Sequence, residues 1–132
     1  MYKNLTITTL LGVFAVVLGA FGAHALKAKL SPEAMNGFET AVRYQLFHVI
    51  VLLVINLNSI LSSKQKRILT LFFVFGVLCF SGSIYAIYLM NIPAKTVWFV
   101  TPLGGLFLII GWSYLCYIFF KKALVRQKMD KK

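Results

Sequence analysis

ILTLFFVFGVLCFSGSIYAIYLM, residues 68–90, is an apolar run without a single charged side chain. A helix needs roughly 20 such residues to cross the ~30 Å of hydrocarbon in a bilayer. A helix also satisfies its backbone polar groups internally, which lipid demands of any spanning segment. The run therefore predicts a membrane-crossing helix. Outward from it, three further apolar runs stand at about 5–26, 40–61 and 97–120. The whole chain of 132 residues is 60% hydrophobic and 13% charged, with a mean hydropathy of +0.84, whereas soluble domains carry about a quarter charged residues. The expected fold class is all-α: a four-span transmembrane helical bundle over residues 1–120 and a basic tail over 121–132.

Local signals mark the ends of the runs. Ser31, Pro32 and Glu33 offer an N-cap, a proline in the first turn and an early acid, so the second helix is expected to start ahead of its apolar run, with a bend at Gly37. Asn91 and Pro93 end the third run. Trp98 on one side and Tyr114 and Tyr117 on the other suit the two membrane interfaces of the fourth run. The tail lacks apolar periodicity and is expected to fray. Ala23-His24-Ala25 fits a signal-peptide cleavage site, but the apolar stretch before it exceeds the usual 7 to 15 residues, so a retained span is the expected reading.

A net charge of +11 and a pI near 10 do not predict nucleic acid, because that partner needs a basic face on a folded surface. Here the charges lie in loops and tail. One side of the bundle collects Lys3, then Lys64, Lys66 and Arg67, then Lys121, Lys122, Arg126, Lys128, Lys131 and Lys132. The other side has only Lys27, Lys29, Arg43 and Lys95. The excess of Lys and Arg predicts that both termini are cytoplasmic, with anionic lipid headgroups as partners of the basic tail. Cys79 and Cys116 fall inside apolar runs, too far apart for a paired-thiol motif, and are expected to be buried free thiols.

Lipid tails are as apolar as leucine, so spans associate through small residues that let backbones approach. Ala15, Gly19 and Ala23 repeat every four residues, with Gly12 and Gly22 beside them; Gly82 and Ala86 do the same in the third run, and Gly104 and Gly111 lie a heptad apart in the fourth. Gly19, Gly22, Gly82, Gly104 and Gly105 are accordingly expected at helix contacts.

Polar groups in hydrocarbon are costly and mark functional candidates. The zigzag of four spans brings His24, Glu39, Arg43, Tyr44, Gln45, His48, Ser81, Ser83 and Thr101 toward the outer half of the bilayer, as candidates for one binding pocket. Glu39 and Arg43 are one turn apart in the order that favours pairing. His48 lies about 140° around the helix from Arg43, on the Tyr44 and Gln45 face. A neutral imidazole there needs a hydrogen-bond partner, and Ser81, Ser83 or Thr101 are the expected ones. His24 and His48 differ in depth by roughly 10 Å, which argues against a shared haem iron. Glu39 is the one acid near them, which argues against zinc. No catalytic motif, metal site or cofactor site is expected.

Gly19-Ala20-Phe21-Gly22-Ala23-His24, Phe38-Glu39-Thr40-Ala41-Val42-Arg43-Tyr44-Gln45 with His48, Phe80-Ser81-Gly82-Ser83 with Tyr85, and Thr101-Pro102-Leu103-Gly104-Gly105 with Gly111-Trp112 form a combination of blocks. Together they resemble the small YgdD/YwdK-like membrane proteins, domain-of-unknown-function family 423 or uncharacterised protein family 0382. The resemblance covers all four spans. It implies a four-span protein of the bacterial inner or plasma membrane, with no established activity. The functional expectation is a non-enzymatic protein that binds a lipid headgroup, small amphiphile or protein partner in an outer-leaflet polar pocket, as a possible homo-oligomer. The alternatives are a small proton-coupled transporter or channel subunit, using His48 and Glu39, and a haem or quinone-binding membrane protein.

Overall fold

A computed structural model describes residues 2–130 of the chain. Those residues form helices and connecting turns without a strand: α1 Tyr2–Phe21, which continues as one π-helical turn over Gly22–Leu26, then α2 Pro32–Leu57, α3 Ser63–Met90, the short α4 Ala94–Val97, and α5 Val100–Met129. Four stretches, Tyr2–Leu26, Pro32–Leu57, Ser63–Met90 and Ala94–Met129, are long and apolar enough to cross a membrane.

The ends follow local chemistry. Ser31 accepts from the Ala34 amide and Pro32 opens α2, so the helix does start ahead of its apolar run. It stays unbroken through Gly37, where a bend was expected. An added Cβ on Gly37 would lie 2.8 Å from the Tyr88 hydroxyl, so this glycine admits a neighbouring side chain. Ser62 and Gln65 cap α3 reciprocally: Ser62 Oγ accepts from the Gln65 amide and Gln65 Oε1 from the Ser62 amide, which starts the helix five residues ahead of the apolar run. Asn91, in the left-handed region at φ 52°, ends it, a role Asn shares with glycine. Pro102 has no N–H for the Trp98 carbonyl, and its ring crowds that carbonyl; the backbone accordingly breaks between α4 and α5 at Trp98 and Phe99. At the far end α5 runs on to Met129 instead of fraying after residue 120. Its last turns, KKALVRQKM, contain good helix formers and neither glycine nor proline. Lys131 and Lys132 lie outside the described residues.

The principal interfaces are α1 on α2, α2 on α3 and α3 on α5, with α1 touching α3 only lightly. Helices α2 and α3 therefore form the middle of the bundle. Leu52, Ile55, Leu69, Phe73, Val77, Leu108 and Ile118 fill its main core, and Leu26, Phe38 and Val42 a smaller one under the α1–α2 turn.

Glycines set the closest approaches. An added Cβ would stand 3.3 Å from Val49 at Gly12, 3.3 Å from Val42 at Gly19 and 2.6 Å from Phe38 at Gly22. With the fully buried Ala15, the α1 stripe alternates spacings of three and four and leaves Ala23 exposed, so the four-residue repeat is corrected. Gly104 packs directly on the α3 backbone at Cys79 and Phe80. Gly82 and Gly105 depart from expectation, because nothing lies within 4 Å of a Cβ built on either. Neither serves a helix contact within the chain. Gly82→Ala and Gly105→Ala are expected to leave stability unchanged or raise it by up to about 1 kcal/mol through helix propensity, read as thermal unfolding in detergent. Cys116 also departs from expectation: it is exposed, while Cys79 is partly buried, and both are free.

Candidate functional site

The nine candidate residues separate into two groups. Gln45, His48, Ser81 and Ser83 are buried, Thr101 is partly buried, and His24, Glu39, Arg43 and Tyr44 are exposed. The structure therefore does not gather them into one pocket.

The inner group forms rungs between helices. Ser83 Oγ donates to the Phe80 carbonyl at 2.9 Å and lies 2.6 Å from Thr101 Oγ1. A serine hydroxyl has one proton, so Thr101 is the donor that ties α5 to α3. Ser81 Oγ donates to the Ala41 carbonyl at 2.8 Å, joining α3 to α2. Gln45, 3% exposed, reaches both ways from the middle of α2. Its Nε2 donates to the Leu11 carbonyl of α1 at 2.7 Å, and its Oε1 accepts from the Tyr85 hydroxyl of α3 at 2.8 Å. One amide thus holds three helices.

The partner of His48 is Trp112 rather than a hydroxyl. Trp112 Nε1 donates to His48 Nε2 at 3.3 Å, while His48 Nδ1 is 2.7 Å from the Tyr44 carbonyl. Indole N–H only donates and a carbonyl only accepts, so the ring is the neutral tautomer with its proton on Nδ1. Both nitrogens are engaged. Phe73 stands 5.5 Å from the imidazole and 5.7 Å from the indole, and Tyr44 stacks on Phe80 at 4.6 Å.

A further rung joins α1, α2 and α3 at the opposite end of the bundle from Arg43, so the polar groups run the length of the bundle. Asn56, 0% exposed, accepts from Asn4 Nδ2 at 3.0 Å and donates to Thr70 Oγ1 at 3.1 Å and the Leu52 carbonyl at 2.9 Å. Lys66 Nζ donates to the Asn56 carbonyl at 3.0 Å near the end of α2. Sequence reasoning missed Asn56, Thr70, Asn4, Lys66 and Trp112, and assigned Tyr85 no role. The signal for Asn56 was present, since it lies three turns from Gln45 on the buried stripe of α2. Among the described residues, no buried side-chain N or O lacks a hydrogen-bond partner. Asn56→Ala is expected to cost about 1–2 kcal/mol by orphaning this rung, visible as a lower unfolding midpoint than for the lipid-facing Val54→Ala.

Of the exposed group, Glu39 and Arg43 border a cleft of about 190 Å³ between α1 and α2, lined by Gly19, Ala23, Met35, Phe38, Glu39, Val42 and Arg43, whereas Tyr44 stacks on α3. The expected Glu39–Arg43 ion pair is not what Arg43 makes. Its Nη2 donates to Thr40 Oγ1 at 3.1 Å and Asn36 Oδ1 at 3.3 Å, up the helix toward its N-terminus. A long cationic side chain near a span end turns that way to reach the polar interface. His24 lies in the π-helical turn beside the cleft but does not line it. No group of three or more potential metal ligands occurs among the described residues.

The family described as "Protein of unknown function (DUF423)" matches residues 18–105, which hold the cleft, the rungs of Ser81 and Ser83 and the Gln45–Tyr85 bond. A "UPF0382 membrane protein" of Haemophilus influenzae is 40% identical over 119 residues, covering 90% of this chain and 94% of the relative. A UPF0382 membrane protein of Staphylococcus epidermidis is 41% identical over 103 residues, covering 78% and 83%. The Escherichia coli "UPF0382 inner membrane protein YgdD" is 33% identical over 111 residues, covering 79% of each chain. No solved structure matches the chain. With four helices fit to cross a bilayer and close relatives along most of its length, the chain belongs to the DUF423/UPF0382 family of multi-pass membrane proteins of unknown function.

Proposed function

We propose that the chain is a non-enzymatic protein of the bacterial inner or plasma membrane, with both termini cytoplasmic, that holds a lipid headgroup or small anionic amphiphile in the outer leaflet. One observation carries this reading: the α1–α2 cleft has an apolar floor with Arg43 and Glu39 at its rim, and the arginine hydrogen-bonds Thr40 and Asn36 rather than a carboxylate. The remaining guanidinium donors suit a phosphate or carboxylate, and Phe38, Met35 and Val42 suit the chain attached to it. Glycine at Gly19 keeps the cleft open, since a side chain there would press on Val42.

The polar rungs play a different part. Gln45, His48, Ser81, Ser83 and Thr101 spend their hydrogen bonds on one another's helices, which supports a role in holding the bundle rather than in orienting a ligand. A proton-coupled role would require His48 to give up Trp112, and haem ligation would require the same lone pair.

Native mass spectrometry from phosphatidylglycerol-containing membranes tests the reading. Wild type and Ile50→Ala are expected to retain the same lipid complement, and Arg43→Gln one lipid fewer. Equal retention in all three would refute it. Proton flux in liposomes that His48→Ala abolishes would favour transport instead.

A further inference from the structure

A groove of about 460 Å³ lies between the first turn of α3 and the lower part of α5, lined by Gln65, Tyr114, Tyr117, Ile118, Lys121, Lys122 and Val125. We infer that this groove is a specific site for an anionic phospholipid of the leaflet at the Lys-rich end of the bundle, with the phosphate between Lys121 and Lys122 and an acyl chain along Tyr114 and Ile118.

The α5 residues that line the groove recur at spacings of three and four, which places them on one helical face. That face changes character along its length. Tyr114, Tyr117 and Ile118 lie within the apolar run, and Lys121 and Lys122 just past it. Aromatic rings followed by lysines at the end of a span match the graded polarity from hydrocarbon to headgroup. The groove exists because α3 begins at Ser63 while α5 continues to Met129, so α5 outruns its neighbour.

Charge selects the occupant. The acids of the chain are Glu33 and Glu39, at the other end of the bundle, and Asp130, roughly 12 Å further along α5 at helical rise. Neither groove lysine has a carboxylate partner among the described residues, whereas Gln65 is spent on capping Ser62. Two ammonium groups over an apolar floor favour a phosphodiester that carries its own hydrocarbon. A peptide or nucleic acid is disfavoured, because its polar backbone would have to follow Tyr114 and Ile118 into lipid, where unsatisfied groups are costly.

This site does not depend on the Arg43 cleft, and its test separates the two. The full-length chain is reconstituted in phosphatidylcholine vesicles, and the immobilised fraction of spin-labelled phosphatidylglycerol is compared with that of spin-labelled phosphatidylcholine. Wild type is expected to prefer phosphatidylglycerol. Lys121→Gln with Lys122→Gln should lower that preference about thirtyfold, in line with the contribution of two lysines near the surface. Arg126→Gln with Lys128→Gln removes the same charge outside the groove and should leave most of the preference, and the loss on removing Lys121 and Lys122 should recur in full in an Arg43→Gln background. An equal loss in the Arg126/Lys128 pair would reduce the effect to diffuse attraction by the tail and overturn the site. Displacement by millimolar inorganic phosphate would overturn the phospholipid as occupant. Unchanged helical content by circular dichroism keeps either result from being a folding defect.

Discussion

Gly104→Ala is expected to be among the most damaging single-methyl changes the bundle can suffer, costing about 3 kcal/mol or preventing accumulation of the folded protein. The added Cβ would collide with the backbone nitrogen of Phe80 and lie 2.8 Å from both the Cys79 carbonyl carbon and Phe80 Cα. Side chains can rotate away from such a contact, but a helix backbone cannot. Helices α3 and α5 would have to separate along an interface that also carries Gly76 against Leu108 and Gly111 against Phe73. The Ser83–Thr101 bond, just above Gly104, would lengthen with them. Thermal unfolding in detergent checks this, with Gly105→Ala as the control: the same substitution one residue away, into open space, should be nearly silent. Similar midpoints for the two variants would show that the α3–α5 contact is looser than described.

Gln45→Ala is expected to cost about 2–3 kcal/mol. Two interhelical hydrogen bonds account for part of it, at an average near 0.6 kcal/mol each in a membrane protein. The cavity left by a buried side chain adds the rest, and the Tyr85 hydroxyl loses its acceptor. The loss should be felt most by α1, which meets α3 only lightly and depends on its glycine stripe, the Asn4 rung and the Gln45 amide to stay in place. Limited proteolysis after α1, in the Lys27 to Leu30 turn, should therefore accelerate in Gln45→Ala. The pair Gln45→Ala and Tyr85→Phe should be less than additive, since each removes the same bond.

The four spans were legible because apolar runs of about 20 residues have few alternatives. Their ends were less so. Apolar run and helix are different quantities: a capping box starts α3 at Ser63, well before Ile68, and strong helix formers carry α5 through charged residues to Met129. The glycines were legible as a class but not one by one. Spacing cannot say which of Gly104 and Gly105 faces α3, since adjacent residues differ by about 100° in phase. For the polar residues, the helix that carries each was legible. Partnership was not, because it depends on the rotation of neighbouring helices. His48 found the indole of Trp112 on α5, and Asn56 built a rung that the sequence analysis did not anticipate. What appeared as one gathering of polar groups is a ladder of satisfied rungs through the bundle and, separately, an exposed arginine over a cleft.

That division between holding and binding is the central claim, and one paired measurement reaches it most directly: native mass spectrometry and thermal unfolding on the same preparations of Arg43→Gln and Gln45→Leu. The account predicts that Arg43→Gln loses one bound lipid with an unchanged unfolding midpoint, while Gln45→Leu unfolds at a lower temperature yet keeps the lipid on every folded molecule. Lipid lost from folded Gln45→Leu, with Arg43→Gln retaining its full complement, would contradict it.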